Sequence, residues 1–265
     1  MKKLITLLVI ALTSLGTFAQ VERTLVVEHF TNTKCSTCAS RNPALFDLLD
    51  DYPQVLHISY HPSSPYSTCI FSQHNPSEND GRTNYYGIYG GTPRVVLQGE
   101  VIGVQNPILN AGQIEAQLGQ TSDFMLSVSQ EQTDANQVNV QLVVKLVSQP
   151  GMQSYNLYAI IAEKKINYNA PNGENVHHEV FRKVLLNQAV SLAEVGDSVV
   201  INTGYDINGA WKDEELIVTA MIQDNSSKAI VQAFESDKLD SGSSFIGNDE
   251  ILSLDGALYP NPVTD

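Results

Sequence analysis

Two cysteines three residues apart, Cys35 and Cys38, constrain this chain more than any other feature, because of what stands on either side of them. Before them runs Thr24-Leu25-Val26-Val27-Glu28-His29-Phe30, a short apolar and β-branched stretch of the kind that forms a central strand in a covered sheet. After them Cys38, Leu45, Leu48, Leu49 and Tyr52 recur at near-helical spacing, which predicts a helix that begins at the motif and ends near Pro53. Val55 to Tyr60 reads as a second buried strand. Residues 61–89 form an insertion, rich in Pro, Ser, Asn and Asp up to residue 83 and expected to be partly helical before Tyr85. Gly90-Gly91-Thr92-Pro93 then leads into a hairpin over Val95 to Val104, and Ile108 to Leu118 reads as an amphipathic helix.

A cysteine at a helix start can place its thiol on the first turn, where unpaired N–H groups and the helix dipole favour the thiolate. Cys35 is therefore expected to be the exposed nucleophile and Cys38, one turn on, the buried resolving thiol. The dipole contributes about 0.3 to 1 kcal/mol, less than one pK unit. Lys34 adds a similar small push, so the expected activation is modest. The same spacing also suits two zinc ligands, but a structural zinc site needs a second pair, and only Cys69 and dispersed histidines remain. No metal and no cofactor are expected. An inert structural disulfide stays open as the plain alternative. Cys69, beside Pro65, Tyr66 and Ser67, is either a third redox thiol or a lone buried cysteine. His57, His61, His74, His177 and His178 show no spacing that forces a metal site, and Asn172-Gly173 reads as a turn.

After Ser122 the hydrophobic period changes to two, through Phe124, Leu126 and Val128 and then Val138, Val140, Leu142, Val144 and Leu146. With strands expected near 155–162, 180–186, 197–202, 215–223 and 229–234, residues 122–236 predict an all-β, immunoglobulin-like sandwich of about seven strands. The change of period predicts two separate cores. Residues 237–256 read as a linker. At the other end, Lys2 and Lys3, an apolar run from Leu4 to Leu12 and Thr17-Phe18-Ala19 have the order of a signal peptide, residues 1–19. That run is shorter than the roughly 20 residues of a spanning helix, so no transmembrane span is expected. With 29 acidic against 15 basic residues, the surface repels phosphate backbones and argues against nucleic acid as a partner.

The strand 24–30, the Cys35-Ser36-Thr37-Cys38 motif, Pro43 within the helix and Thr92-Pro93 before the hairpin resemble the thioredoxin superfamily over about residues 22–120. The resemblance implies an α/β thioredoxin-like domain over 20–121. It also implies a helix kinked at Pro43 and a cis proline, after Thr92, that lies against the motif and offers backbone hydrogen bonds to a bound polypeptide. Thr92 and Pro93 are thus the expected substrate-binding residues. The sequence departs from the family in Lys34, where a tryptophan is common, in Ser36-Thr37, and in His29, which stands in place of a buried acid with Glu28 beside it. His29 reads as a packed strand histidine or as a proton relay to Cys38.

Val27-Glu28-His29-Phe30-Thr31, the segment Gly91 to Gly99 and Asn175-Val176-His177-His178-Glu179-Val180-Phe181-Arg182 further resemble the twenty-eight-kilodalton outer-membrane protein family of Bacteroidetes. That resemblance implies export and a place at the cell surface or outer membrane, or secretion. Tyr259-Pro260-Asn261-Pro262 is similar to the opening of a type IX secretion sorting domain, which implies a domain truncated at 257–265 and that secretion machinery as a partner. Two functions follow as expectations. One is thiol-disulfide exchange on exported polypeptides through Cys35 and Cys38; the other is non-enzymatic, adhesin-like binding of surface ligands with a structural CxxC.

Overall fold

A computed structural model describes residues 20–88, 91–149 and 153–239. The expected signal peptide, Gly90, the linker beyond residue 239 and the sorting-like segment at 257–265 lie outside the described residues.

The first half runs β1 (Val21–Glu22), β2 (Val26–Phe30), α1 (Ser36–Asp50), β3 (Leu56–Tyr60), α2 (Ile70–His74), α3 (Pro76–Tyr86), β4 (Arg94–Leu97), β5 (Glu100–Val101), α4 (Ala111–Glu115) and β6 (Thr121–Ser122). The second half is almost all strand: β7 (Phe124–Asp134), β8 (Gln137–Leu146), β9 (Tyr155–Asn167), β10 (Val176–Val190), β11 (Ser198–Asp206), β12 (Leu216–Asp224) and β13 (Ile230–Glu235). The insertion is mostly helical: Asn75 caps α3 by accepting from the Glu78 N–H, and Gly87 ends it in the left-handed conformation. The helix expected over 108–118 is shorter than its pattern. It starts at Asn110 because Asn110 and Gln113 form a reciprocal capping box.

Three sheets result among the described residues. One has two strands, β1-β6; one has three, β11-β8-β7; the third has eight, in the order β13-β12-β9-β10-β3-β2-β4-β5. Within it β2 and β3 are parallel, as are β3 and β10, while β4 and β5 run antiparallel to their neighbours. The two halves meet where Val180 pairs with Ser59. Without β10, β3 would present an open edge of unpaired N–H and C=O groups.

Where the change of period predicts separate cores, one hydrophobic cluster draws on both halves. One face of β2 sends Val27 into a cluster with Leu45 of α1, Val95, Leu97 and Ile114. The other face sends Val26 and Phe30 into a cluster that also holds Ile58 and Tyr60 of β3, Tyr158 and Ile160 of β9, Phe181 of β10 and Met221 of β12. A period-two pattern shows which residues face inward, but not which sheet they face. The three-stranded sheet packs Leu126, Val140, Leu142 and Val144 against Leu157, Ile161, Val218 and Ala220 of the long sheet.

A buried polar knot fixes α3 beneath the sheet. Arg82 of α3 donates to Glu28 of β2 through Nε at 2.6 Å and Nη2 at 3.0 Å, and to Gln223 of β12 at 3.1 Å. Gln223 donates to the Tyr86 hydroxyl at 2.9 Å, and Tyr86 donates to Glu28. Burial works against the Arg82 charge, yet the adjoining Glu28 carboxylate outweighs it and holds the guanidinium protonated. No described helix is long and apolar enough to cross a membrane.

Candidate functional site

Cys35 is the N-cap of α1, in extended conformation, and Cys38 lies on the first turn. The two form a disulfide, with their Cα atoms 5.2 Å apart. The Cys38 N–H points at the Cys35 sulfur at 3.0 Å, so one of the helix's unpaired amides is aimed at the atom that would carry thiolate charge. The Cys35 sulfur also stands 3.4 Å from the carbonyl oxygen of Thr92. In the disulfide this is a contact only; a reduced Cys35 thiol would donate there.

Exposure differs from the expectation. Lys34, Ser36 and Thr37 face solvent, but Cys35 is 2% exposed and Cys38 0%. The first sulfur is turned inward onto the Thr92 carbonyl, which spacing along a helix could not reveal. The Thr92-Pro93 peptide bond is cis, Pro93 is buried, and the Thr92 hydroxyl is buried without a partner. Beside Thr92 opens a cavity of about 260 Å³ with Phe30 and Ile88 among its walls and Ser63, Asp80 and Asn84 among its polar lining. The insertion and the Thr92 loop together make this hollow, and Thr92 is the residue it shares with the contact to the Cys35 sulfur.

The other flank is held by the second half of the chain. Between β9 and β10, Gly173 takes φ 101° and the chain reverses, as the Asn172-Gly173 pattern predicts. Asn172 does more than turn. Its N–H donates to the Thr33 carbonyl at 3.1 Å, and its side-chain amide donates to the carbonyls of Cys35 at 3.1 Å and Asn32 at 3.3 Å. The same amide donates to Glu174 at 2.6 Å, and Glu174 accepts from Asn42 of α1 at 2.7 Å. Asn32, in turn, donates to the carbonyls of Pro62 and Tyr66 and accepts from the Lys34 N–H. Asn32, Asn42, Asn172 and Glu174 escaped the sequence reading. Asn172 carried a turn signal that says nothing of its side-chain contacts, and the others carried no signal.

His29 lies fully buried on β2, with neither ring nitrogen hydrogen-bonded. Its ring stands edge-on to Phe46 of α1 at 6.1 Å and 5.6 Å from His57 of β3. Burial, and then the neighbouring His57 and His61, push its pKa well below the usual histidine value, so the ring is neutral at pH 7. His57 Nδ1 lies 2.9 Å from Glu179 Oε2. Glu179 of β10 has φ 42°, a strained setting for a residue other than glycine. Burial opposes its charge, but the His57 contact and Lys164, 3.4 Å away, hold its carboxyl below the usual range.

Cys69 is buried against Phe71, Ile166 and Val180, and its sulfur accepts from the Thr33 hydroxyl at 3.1 Å. His177 meets the Tyr168 carbonyl at 3.0 Å, and His74 contacts Arg182. Among the described residues no three His, Cys, Asp or Glu side chains are placed to hold one metal ion.

Fold and site together define a mixed α/β, mostly sheet protein that carries a CxxC disulfide at a helix start, an arrangement that fits a thioredoxin-like unit joined to a β part. Among solved structures the chain is similar to HBP35 of Porphyromonas gingivalis, with a TM-score of 0.69 and 18% identity over 86% of this chain and 80% of that one. That likeness shows a shared fold. A domain of the outer membrane lipoprotein Omp28 from the same organism aligns at 9% identity over 45% of this chain and 92% of that one, but its TM-score of 0.33 carries no argument. No family model matches the sequence, and no curated protein does.

Proposed function

We propose that this chain is an exported, surface-located protein whose thioredoxin-like part, residues 20–121, exchanges disulfides with other exported polypeptides through Cys35 and Cys38. The observation that carries the reading is the Cys35–Cys38 disulfide at the N-terminus of α1, with the Cys35 sulfur 3.4 Å from the Thr92 carbonyl that precedes Pro93. In the reducing direction the Cys35 thiolate attacks a substrate disulfide, forms a mixed disulfide and releases one substrate sulfur as thiolate. Cys38 loses its proton and attacks the Cys35 sulfur. This releases the second substrate sulfur, so two electrons pass from the pair to the substrate. His29, neutral and buried on β2, is the group proposed to take the Cys38 proton, and Lys34 favours the Cys35 thiolate. Thr92 and Pro93 present backbone to the substrate. The oxidising direction is the same sequence in reverse.

Export rests on the signal-peptide order of residues 1–19, surface placement on the resemblance of three segments to the outer-membrane family, and type IX secretion on the sequence at 259–262. The β part is read as an immunoglobulin-like sandwich, supported by its two facing sheets. A second reading, a surface-binding protein with the disulfide as a staple, is favoured by the burial of both sulfurs. Insulin reduction by dithiothreitol separates the two. Catalysed turbidity that Cys35→Ser abolishes, with a mixed disulfide accumulating on Cys35 in Cys38→Ser, is the expected result. No acceleration by the unaltered protein sinks the exchange reading in favour of the staple.

A further inference from the structure

The loop that joins β9 to β10 belongs to the part of the molecule that the redox reading leaves idle, yet it makes hydrogen bonds on both sides of the disulfide. Asn172 holds the carbonyls of Asn32, Thr33 and Cys35, the turn that delivers Cys35 to the helix start. Glu174 is held from two directions, by the Asn172 amide at 2.6 Å and by the Asn42 amide at 2.7 Å. Asn42 follows Cys38 by four residues and shares its inward face of α1, both being buried there. The Asn42 contact therefore anchors a carboxylate about one helical turn from the cysteines.

We propose that Glu174 is a positioning residue of the redox site, a charge supplied by the β part that biases Cys35 and Cys38 toward the disulfide, with Asn172 and Asn42 fixing it in place. The inference rests on the Cys35/Cys38 chemistry above but concerns its poise. A disulfide is neutral, whereas the reduced pair gains stability from thiolate charge near the helix start. A carboxylate nearby opposes that charge, disfavours the reduced form and shifts the equilibrium to the oxidised one. The titratable group that senses Glu174 is His177 of β10, and Lys34 stands next to Cys35 on the exposed turn. Burial holds the His177 pKa down, and the Tyr168 carbonyl and then Glu174 act against that lowering. Lys34 acts in the opposite sense to Glu174, so the pair's poise is set by one charge from each half of the chain.

The test is a glutathione redox titration of the full chain, in which two glutathione thiols become one glutathione disulfide as the pair is reduced. Glu174→Gln keeps the hydrogen-bonding shape and removes the charge. It should lower the thiol pKa of Cys35, followed by iodoacetamide labelling against pH, and favour the reduced pair increasingly as pH rises, reaching about three- to tenfold where Cys35 is ionised in both proteins, the size expected of a half-exposed charge across one turn. Glu174→Asp should stay near the unaltered protein. At a pH where the thiols are protonated in both proteins, the Gln variant and the parent should converge, since no thiolate remains for the charge to oppose; a purely structural effect would persist. Equal thiol pKa and equal equilibrium in Glu174→Gln and parent would overturn the proposal, as would a difference that does not narrow at low pH. These readouts need no catalytic activity, so a failed insulin assay with a shifted equilibrium in Glu174→Gln would count against the exchange reading alone.

Discussion

His29 shows how a single residue ties acidity to stability here. Its folded pKa lies well below the ordinary value, as does that of His61, in both cases first because of burial and then because of neighbouring charged groups. The unfolded chain therefore takes up protons as pH falls through about 6.5 while the folded chain does not, and folding weakens in that window. Each such histidine costs about 1.4 kcal/mol per pH unit until its own folded pKa is reached. The thermal midpoint should drop between pH 7 and pH 5, and His29→Phe, which keeps a ring between Phe46 and His57, should drop less steeply. Parallel curves for the two proteins would show that His29 is not the source. At this scale the sequence was half legible. Cys35 and Cys38 stand together because spacing along one strand–helix unit is a local property, whereas Thr92, 57 residues from Cys35, was anticipated only through the family resemblance. The burial of Cys35 and the arrival of Asn172 and Glu174 were not legible, because contacts between distant parts of a chain leave no periodic trace.

Among the elements, α3 is the one that the sequence described least and the structure uses most. Its mean composition is polar, Pro76-Ser77-Glu78-Asn79-Asp80-Gly81-Arg82, and periodicity alone gives no reason for it to be buried. It is held through chemistry instead. Arg82 meets Glu28 in a knot with Tyr86 and Gln223, and the guanidinium lies 4.3 Å over the Tyr158 ring. Removing one partner of a buried pair leaves the other charge uncompensated, which costs about 3 to 5 kcal/mol. Arg82→Met should lower stability by that amount in urea unfolding, and the double change Glu28→Gln with Arg82→Met should recover much of it. If the single and double variants are equally unstable, the pair is not what holds α3. The strands were easier to anticipate. β7 and β8 alternate cleanly because one face of their sheet meets the core and the other meets water. In β12 every residue is buried, so alternation disappears and only a continuous apolar run marks it.

For the whole molecule, the change of pattern near Ser122 is bridged by a cluster that both halves share. Phe30, Ile58 and Tyr60 from the first half are completed by Tyr158, Ile160, Phe181 and Met221 from the second. A fragment ending at Gln120 would expose that apolar surface together with the open edge of β3. It should melt without a cooperative transition, while the full chain unfolds in one. Separate cooperative transitions for the fragment and the full chain's second half would restore independent cores. The pairing of Val180 with Ser59 also imposes an order in time. A chain made from its N-terminus presents both cysteines, and the strand between them and the core, long before β10 exists. A pair oxidised at that stage would close in an unfinished sheet, and the loop that grips Cys35 would arrive only with β10, the strand that closes it.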